Sequence, residues 1–130
     1  NLAQDTLYAQ AQLDGNGQAL HGSQRYRIRF EAGQWPPVNA FWSVTAYDLR
    51  TFALIPNAAK RYAIGDRTPG LLLEPDGSLV IDVASQPPAR GAANWLPVSD
   101  APFSLIVRMY EPGRAILDGR YRLPPLELTD

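Results

Sequence analysis

Apolar and polar residues alternate over much of this chain, and the alternation has a period of two. Residues 6–13 (TLYAQAQL) put Leu7, Ala9, Ala11 and Leu13 on one face of a strand. Residues 24–30 (QRYRIRF) show the pattern best: Tyr26, Ile28 and Phe30 point one way, Arg25, Arg27 and Arg29 the other. One buried face and one wet, basic face follow. Residues 41–48 (FWSVTAYD) set Trp42, Val44 and Ala46 against Phe41, Ser43, Thr45 and Tyr47. Large groups on both sides predict a central strand covered on both faces. Residues 103–110 (FSLIVRMY) form the last strong strand.

Turn signals separate these runs. Asp14-Gly15-Asn16-Gly17 predicts a tight turn, because Gly and Asn accept positive φ at little cost. Gly33 and Pro36-Pro37 predict a loop over 31–40. Short extended pieces at 52–55 and 60–64 are stopped by Pro56-Asn57 and by Gly65. Residues 71–74 and 78–84 flank Pro75-Asp76-Gly77, which predicts a hairpin. Residues 86–102 hold four Pro and predict a long loop, a place where function often resides. Residues 112–117 allow one helical turn, and Pro124-Pro125 close the chain in extended form. Seven or eight short strands predict an all-β fold: a jelly-roll-like antiparallel β-sandwich. It forms one domain over residues 1–130, with at most one or two short helical turns.

Composition narrows the chemistry. The chain has no Cys and one His, so thiol nucleophiles, Cys-ligated zinc and His-rich metal sites are excluded. No cofactor or metal is implied. Twelve basic residues face thirteen acidic ones, for a net charge of −1. Nothing there draws the chain to nucleic acid. No run of about 18 apolar residues exists, so this segment inserts no helix into a membrane. The start, residues 1–7, shows neither a basic nor an apolar leader region and runs almost directly into a strand.

Several motifs fail on inspection. Asp14-Gly15-Asn16-Gly17 begins like a calcium loop, but Gln18 and Arg25 stand where ligands are needed. His21 sits in a polar turn, without the elbow or buried carboxylate that a catalytic triad needs. Nothing places two of Asp48, Asp66, Glu74 and Asp82 at glycosidase spacing. The candidates that survive are ligand-binding ones: Arg61, Tyr62, Asp66, Arg67, Asn94 and Trp95. Arg61 and Arg67 offer planar forks to a carboxylate or phosphate. The structural alternative is an ion pair of Asp66 with Arg61 or Arg67, stitching loop backbone. Asn94 is equally suited to binding loop backbone groups. Trp95 either plugs the end of a sandwich, with its N–H on a carbonyl, or offers a flat platform. The Arg25, Arg27, Arg29 stripe reads as a solvated face.

Taken in order, Pro37-Val38-Asn39-Ala40-Phe41-Trp42-Ser43-Val44-Thr45-Ala46-Tyr47-Asp48, Pro56-Asn57, Arg61-Tyr62-Ala63-Ile64-Gly65-Asp66, Asp76-Gly77-Ser78-Leu79 and Asn94-Trp95-Leu96-Pro97 are familiar. With the strand at 103–110 they resemble the domain of unknown function 1214 family, over residues 8–125. The resemblance implies a jelly-roll-like sandwich. Gly65-Asp66-Arg67-Thr68-Pro69-Gly70 and Leu117-Asp118-Gly119 resemble the long form of the family. In that form the domain follows a domain of unknown function 1254, so residue 1 is expected to be a truncation point. The resemblance also implies export to the periplasm or beyond. The family carries no assigned chemistry, so no catalytic residue is taken from it.

Three readings follow. In the first, the chain is a non-catalytic module that packs on an upstream domain of the same chain, or on a second copy of itself, and binds a small ligand. It calls for a large apolar patch. The second is part of a hydrolase-like enzyme with its site at a domain interface; Arg61, Asp66, Asn94 and Trp95 should then converge on one open pocket. The third is a carbohydrate-binding module, with Trp35, Trp42 or Trp95 in a coplanar solvent-facing strip.

Overall fold

The computed structural model describes residues 6–129. Residues 1–5 and 130 lie outside the described residues, and with them most of the chain start discussed above. Eight strands and one helical turn follow in order: β1 (Thr6–Ala11), β2 (Arg25–Phe30), β3 (Val38–Asp48), β4 (Ala63–Gly65), β5 (Leu79–Ala84), β6 (Trp95–Pro97), β7 (Phe103–Pro112), α1 (Arg114–Leu117) and β8 (Leu126–Thr129). They build two four-stranded sheets, ordered β1-β7-β3-β4 and β6-β5-β2-β8. The protein is an all-β sandwich, as the alternation predicts. No helix among the described residues is long and apolar enough to cross a membrane.

The inner faces meet in one core. Trp42, Val44, Ala46, Leu105, Val107 and Met109 come from the first sheet. Tyr26, Ile28, Phe30, Leu79, Ile81 and Val83 come from the second. Aromatic rings cluster in it: Phe30 lies 5.0 Å from Trp42, and Trp35 meets Trp42 edge-on at 6.2 Å. Tyr26 is fully inside, yet its hydroxyl accepts the His21 N–H at 3.1 Å. β3 starts earlier than the Pro pair suggests, because a bulge between Val38 and Phe41 absorbs the irregular stretch.

Several local expectations need correction. Leu13 is exposed: it leaves β1 and makes a lone bridge to Ala19 across the Asp14 turn. That turn is closed by the buried Asp14 carboxylate, which accepts the N–H groups of Asn16 and Gln18. The long 86–102 loop contains β6, which pairs with β5 in parallel, so the second sheet is mixed. The closing segment at 126–129 is a full strand, β8, antiparallel to β2. The Arg stripe of β2 is not simply solvated. Arg27 reaches Asp82 at 3.0 Å, and Arg29 reaches Glu31 at 3.0 Å and Asp76 at 2.6 Å.

The Pro75-Asp76-Gly77 turn forms, with the Glu74 N–H on the Ser78 carbonyl at 2.8 Å. Its first arm, however, is not a strand. Asn94 explains why. Its Nδ2 donates to the carbonyls of Leu72 (2.7 Å) and Val80 (2.8 Å), and its Oδ1 accepts the Leu72 N–H at 2.9 Å. β6 pairs only with residues 82–84, so the edge of β5 beyond it lacks a strand partner. The carboxamide supplies one, and ties residue 72 to it.

A polar group buried without a partner costs roughly 1–3 kcal/mol. Asn94→Ala strands three such backbone groups, so a loss of about 3 kcal/mol or more is expected in urea unfolding. Asn94→Asp should be worse at neutral pH, since a second acceptor would then face two carbonyls. Asp48 sets a second expectation. Arg50 donates to it from the backbone N–H (2.8 Å), Nε (3.1 Å) and Nη2 (2.9 Å). Those bonds, the side-chain ones first, hold the Asp48 carboxyl down at about 2. A carboxyl depressed in the folded state contributes stability above its unfolded value, near 4, and loses it as pH falls toward about 2. The stability difference between the parent and Asp48→Asn, from denaturant midpoints, should therefore shrink across that window.

Candidate functional site

The edge of the first sheet carries most of the residues singled out by sequence. β4 ends at Gly65, whose backbone approaches β3 closely: a Cβ there would lie 2.1 Å from the Trp42 carbonyl oxygen. Beyond it the chain turns back. The Thr68 hydroxyl accepts the Gly65 N–H at 2.9 Å, and the Thr68 N–H returns to the Gly65 carbonyl at 3.1 Å. Asp66 Oδ1 accepts the Trp42 N–H at 3.1 Å, capping the short β3–β4 ladder. Asp66 therefore meets neither Arg61 nor Arg67, and the ion pair expected from sequence does not form. Arg67 lies instead over the Phe41 ring, 4.3 Å from its centroid.

Arg61 faces the other way. Its Nη1 donates to the carbonyls of Ala92 (3.1 Å), Ala93 (2.8 Å) and Trp95 (3.2 Å), joining the edge of one sheet to the start of β6 in the other. Asn94 is buried, with its amide committed to backbone. Trp95 is half-buried, and its Nε1 donates to the Ala84 carbonyl at 2.8 Å, as expected of a plug. Arg61, Asp66, Asn94 and Trp95 thus do not converge on one open pocket. What does come together is Arg61, Tyr62 and Arg67, beside Phe41, in an open groove of about 530 Å³. Its floor is the β3 stretch Phe41–Trp42–Ser43, and Lys60, Thr68 and Pro69 complete its walls.

This groove opens onto the outer face of the first sheet. Phe41 and Tyr110 stack there at 4.2 Å. Arg108 lies 5.5 Å from the ring centroids of both Tyr8 and Tyr47, and its Nη2 donates to the Tyr47 hydroxyl at 2.6 Å. Tyr8 is 69 % exposed. The face is thus aromatic and arginine-rich, with two guanidinium planes among four rings.

Other candidate chemistry is placed apart. His21 Nδ1 accepts the Ser23 N–H at 3.0 Å, closing its own turn, and stands 3.8 Å from Asp100. Glu74 and Asp82 meet through one guanidinium, that of Arg90. Trp42 is core, Trp35 stands edge-on to it, and Trp95 belongs to the other sheet. No coplanar tryptophan strip exists among the described residues.

Two contributors escaped the sequence reading. Asn57 accepts the Arg61 N–H at 3.0 Å and donates to the carbonyls of Ile55 and Arg61, which holds the loop behind the groove and Lys60 at φ 52°. Its only signal was the Pro-Asn pair. Arg108 interrupts the apolar run of β7, and that interruption marked the outer face.

Comparison with known proteins agrees with this architecture. The VPA0106 protein of Vibrio parahaemolyticus superposes with a TM-score of 0.85 at 34% identity, over 98% of this chain and 31% of that one. An uncharacterised protein of Burkholderia cenocepacia shares the fold, with a TM-score of 0.51 at 22% identity, over 95% of this chain and 28% of that one. The chain therefore spans about a third of the length of either. No curated protein matches it. The family model described as protein of unknown function, DUF1214, matches residues 5–114, and the chain belongs to that family.

Proposed function

We propose that this chain is a non-catalytic module that packs against a neighbouring domain of a longer protein through the outer face of its β1-β7-β3-β4 sheet. The observation that carries the reading is the composition of that face. Tyr8, Phe41, Tyr47 and Tyr110 surround Arg108 and Arg67, and Tyr8 stands largely in solvent. Aromatic rings and arginine are the groups enriched where protein surfaces meet. A guanidinium is more weakly hydrated than an ammonium, which suits stacked arginines better than lysines to a covered interface. The outer face of the second sheet differs: salt bridges cross it and the 86–94 segment lies on it.

The length of the relatives points the same way, since a chain matching about a third of each leaves room for other domains in those proteins. The upstream domain of unknown function 1254, implied by the family resemblance, is the partner we favour; self-association is the competing use of the same face. The groove at Tyr62 and Arg67 would then take a side chain or a small ligand at the edge of the contact, with Arg61 holding its wall. We place the protein in the periplasm or outside the cell on the family resemblance alone.

Hydroxyl-radical footprinting of the aromatic side chains tests this reading. Tyr8 and Tyr62 should label strongly in the 130-residue chain and several-fold less in the full-length gene product. Phe52, which is 78 % exposed and lies in a different loop, should label equally in both. Equal labelling of Tyr8 in the two, or a gene product with no further domain and a monomeric state, would sink it.

A further inference from the structure

The geometry points to a second, unassigned site: an oxoanion pocket on the outer face of the β6-β5-β2-β8 sheet. It is a cavity of about 300 Å³ between β2, β5, the end of β8 and the Pro88–Arg90 stretch. Its ligand would be a small molecule bearing a carboxylate or phosphate.

The unusual feature is Asp82. It sits on the outward side of β5 between Val80 and Ala84, a buried position, with 6 % of its side chain exposed. Burying a carboxylate carries a desolvation penalty, and pairing it rarely adds stability beyond what an apolar residue would. Asp82 is also incompletely satisfied. Its Oδ1 accepts Arg27 Nε at 3.0 Å. Its Oδ2 lies 3.3 Å from Arg90 Nε but has no hydrogen-bond partner.

What Asp82 achieves is the placement of cations. It takes only the Nε of Arg27, so both Nη groups of Arg27 are left without a partner among the described residues. Arg90 is used up differently, because its Nη1 and Nη2 donate to Glu74. Arg25 lines the same cavity and has no ion pair among the described residues. The pocket thus offers the fork of Arg27 and the guanidinium of Arg25. Ala84 and Pro88 form its apolar back. Planar N–H forks matched to paired oxygens are the usual recognition of carboxylates and phosphates. Glu127 stands opposite Arg27 on β8, and is the exposed carboxylate in position to compete.

Asp82 and Arg90 position; Arg25 and Arg27 bind. The site lies on the sheet opposite the proposed domain contact, so the two stand or fall separately. Calorimetric titration of the intact protein with succinate and with inorganic phosphate, against chloride as control, tests it. At least one oxoanion should bind saturably below about 10 mM. Arg25→Gln should weaken it about tenfold or more, since a charge-assisted bond is lost. Glu127→Gln should tighten it, because the competitor is removed. Whichever probe binds identifies the ligand class. Should Arg25→Gln lower the melting midpoint, Arg25→Lys gives the same comparison, with charge kept and fork lost. No saturable binding of either probe, or an affinity unmoved by both Arg25 variants or equalled by chloride, overturns the assignment.

Discussion

One carboxamide holds the second sheet together where its strands run out. β5 is buried along its whole length, yet its β6 partner reaches only half of it. The remaining half of that edge would present unpaired backbone to the 71–74 segment, which is not a strand. Asn94 closes this gap because an amide side chain has the same donor and acceptor as a peptide unit. It binds Val80 on the strand and both polar groups of Leu72 on the loop. The loop is thereby fixed without the regular conformation that a ladder would demand. Everything laid on β5 depends on this: the 86–94 segment, the Trp95 plug and the Asp82 cluster.

The two sheets use their outward faces in opposite ways. On the first, the outward residues of β3 and β7 include rings, hydroxyls, Ile106 and Arg108, and few charges are balanced locally. On the second, Arg25, Arg27 and Arg29 are flanked by Asp82, Asp76, Glu31 and Glu127. A face crossed by ion pairs such as Arg27–Asp82 and Arg29–Asp76 resists being covered, because each pair would lose water without gaining a partner. A ring-and-guanidinium face loses less. The asymmetry is therefore a physical reason to put a protein contact on one side and small-molecule chemistry on the other.

Alternation made the sandwich legible. Tyr26, Ile28 and Phe30, and Trp42, Val44 and Ala46, all face the core as period two requires. The turns were legible too, since Asp14-Gly15-Asn16-Gly17 and Pro75-Asp76-Gly77 are built from residues with few other options. The misses share one cause. β6 and β8 are three and four residues long, and each exists because a neighbouring strand supplies its hydrogen bonds. Local pattern carries no trace of such a neighbour. The partner of Asp66 was unreadable for the same reason: its donor is the Trp42 N–H, 24 residues away, exposed by the end of a ladder. For Asn94 and Trp95 the residue types already suited backbone groups, but which carbonyls and N–H groups they meet, and that Arg61 meets carbonyls too, depends on segments far away in sequence.

The excess of arginine over lysine also takes on meaning position by position. Eleven of the twelve basic residues are Arg. Arg61 shares one terminal nitrogen among three carbonyls at the start of β6, reaching them from the edge of the other sheet on a stem longer than lysine's. Arg67 and Arg108 lie against rings, where a delocalised plane stacks and a hydrated point charge does not. Arg90 bridges Glu74 and Asp82 through different nitrogens of one fork. Arg27 gives its Nε to Asp82 and retains its terminal pair. Arg67, Arg108, Arg90 and Arg27 each need more than one nitrogen, or a flat surface, at a fixed place. At Arg67, Arg108, Arg90 and Arg27, exchange for lysine would preserve the net charge while removing contacts that rest on guanidinium geometry.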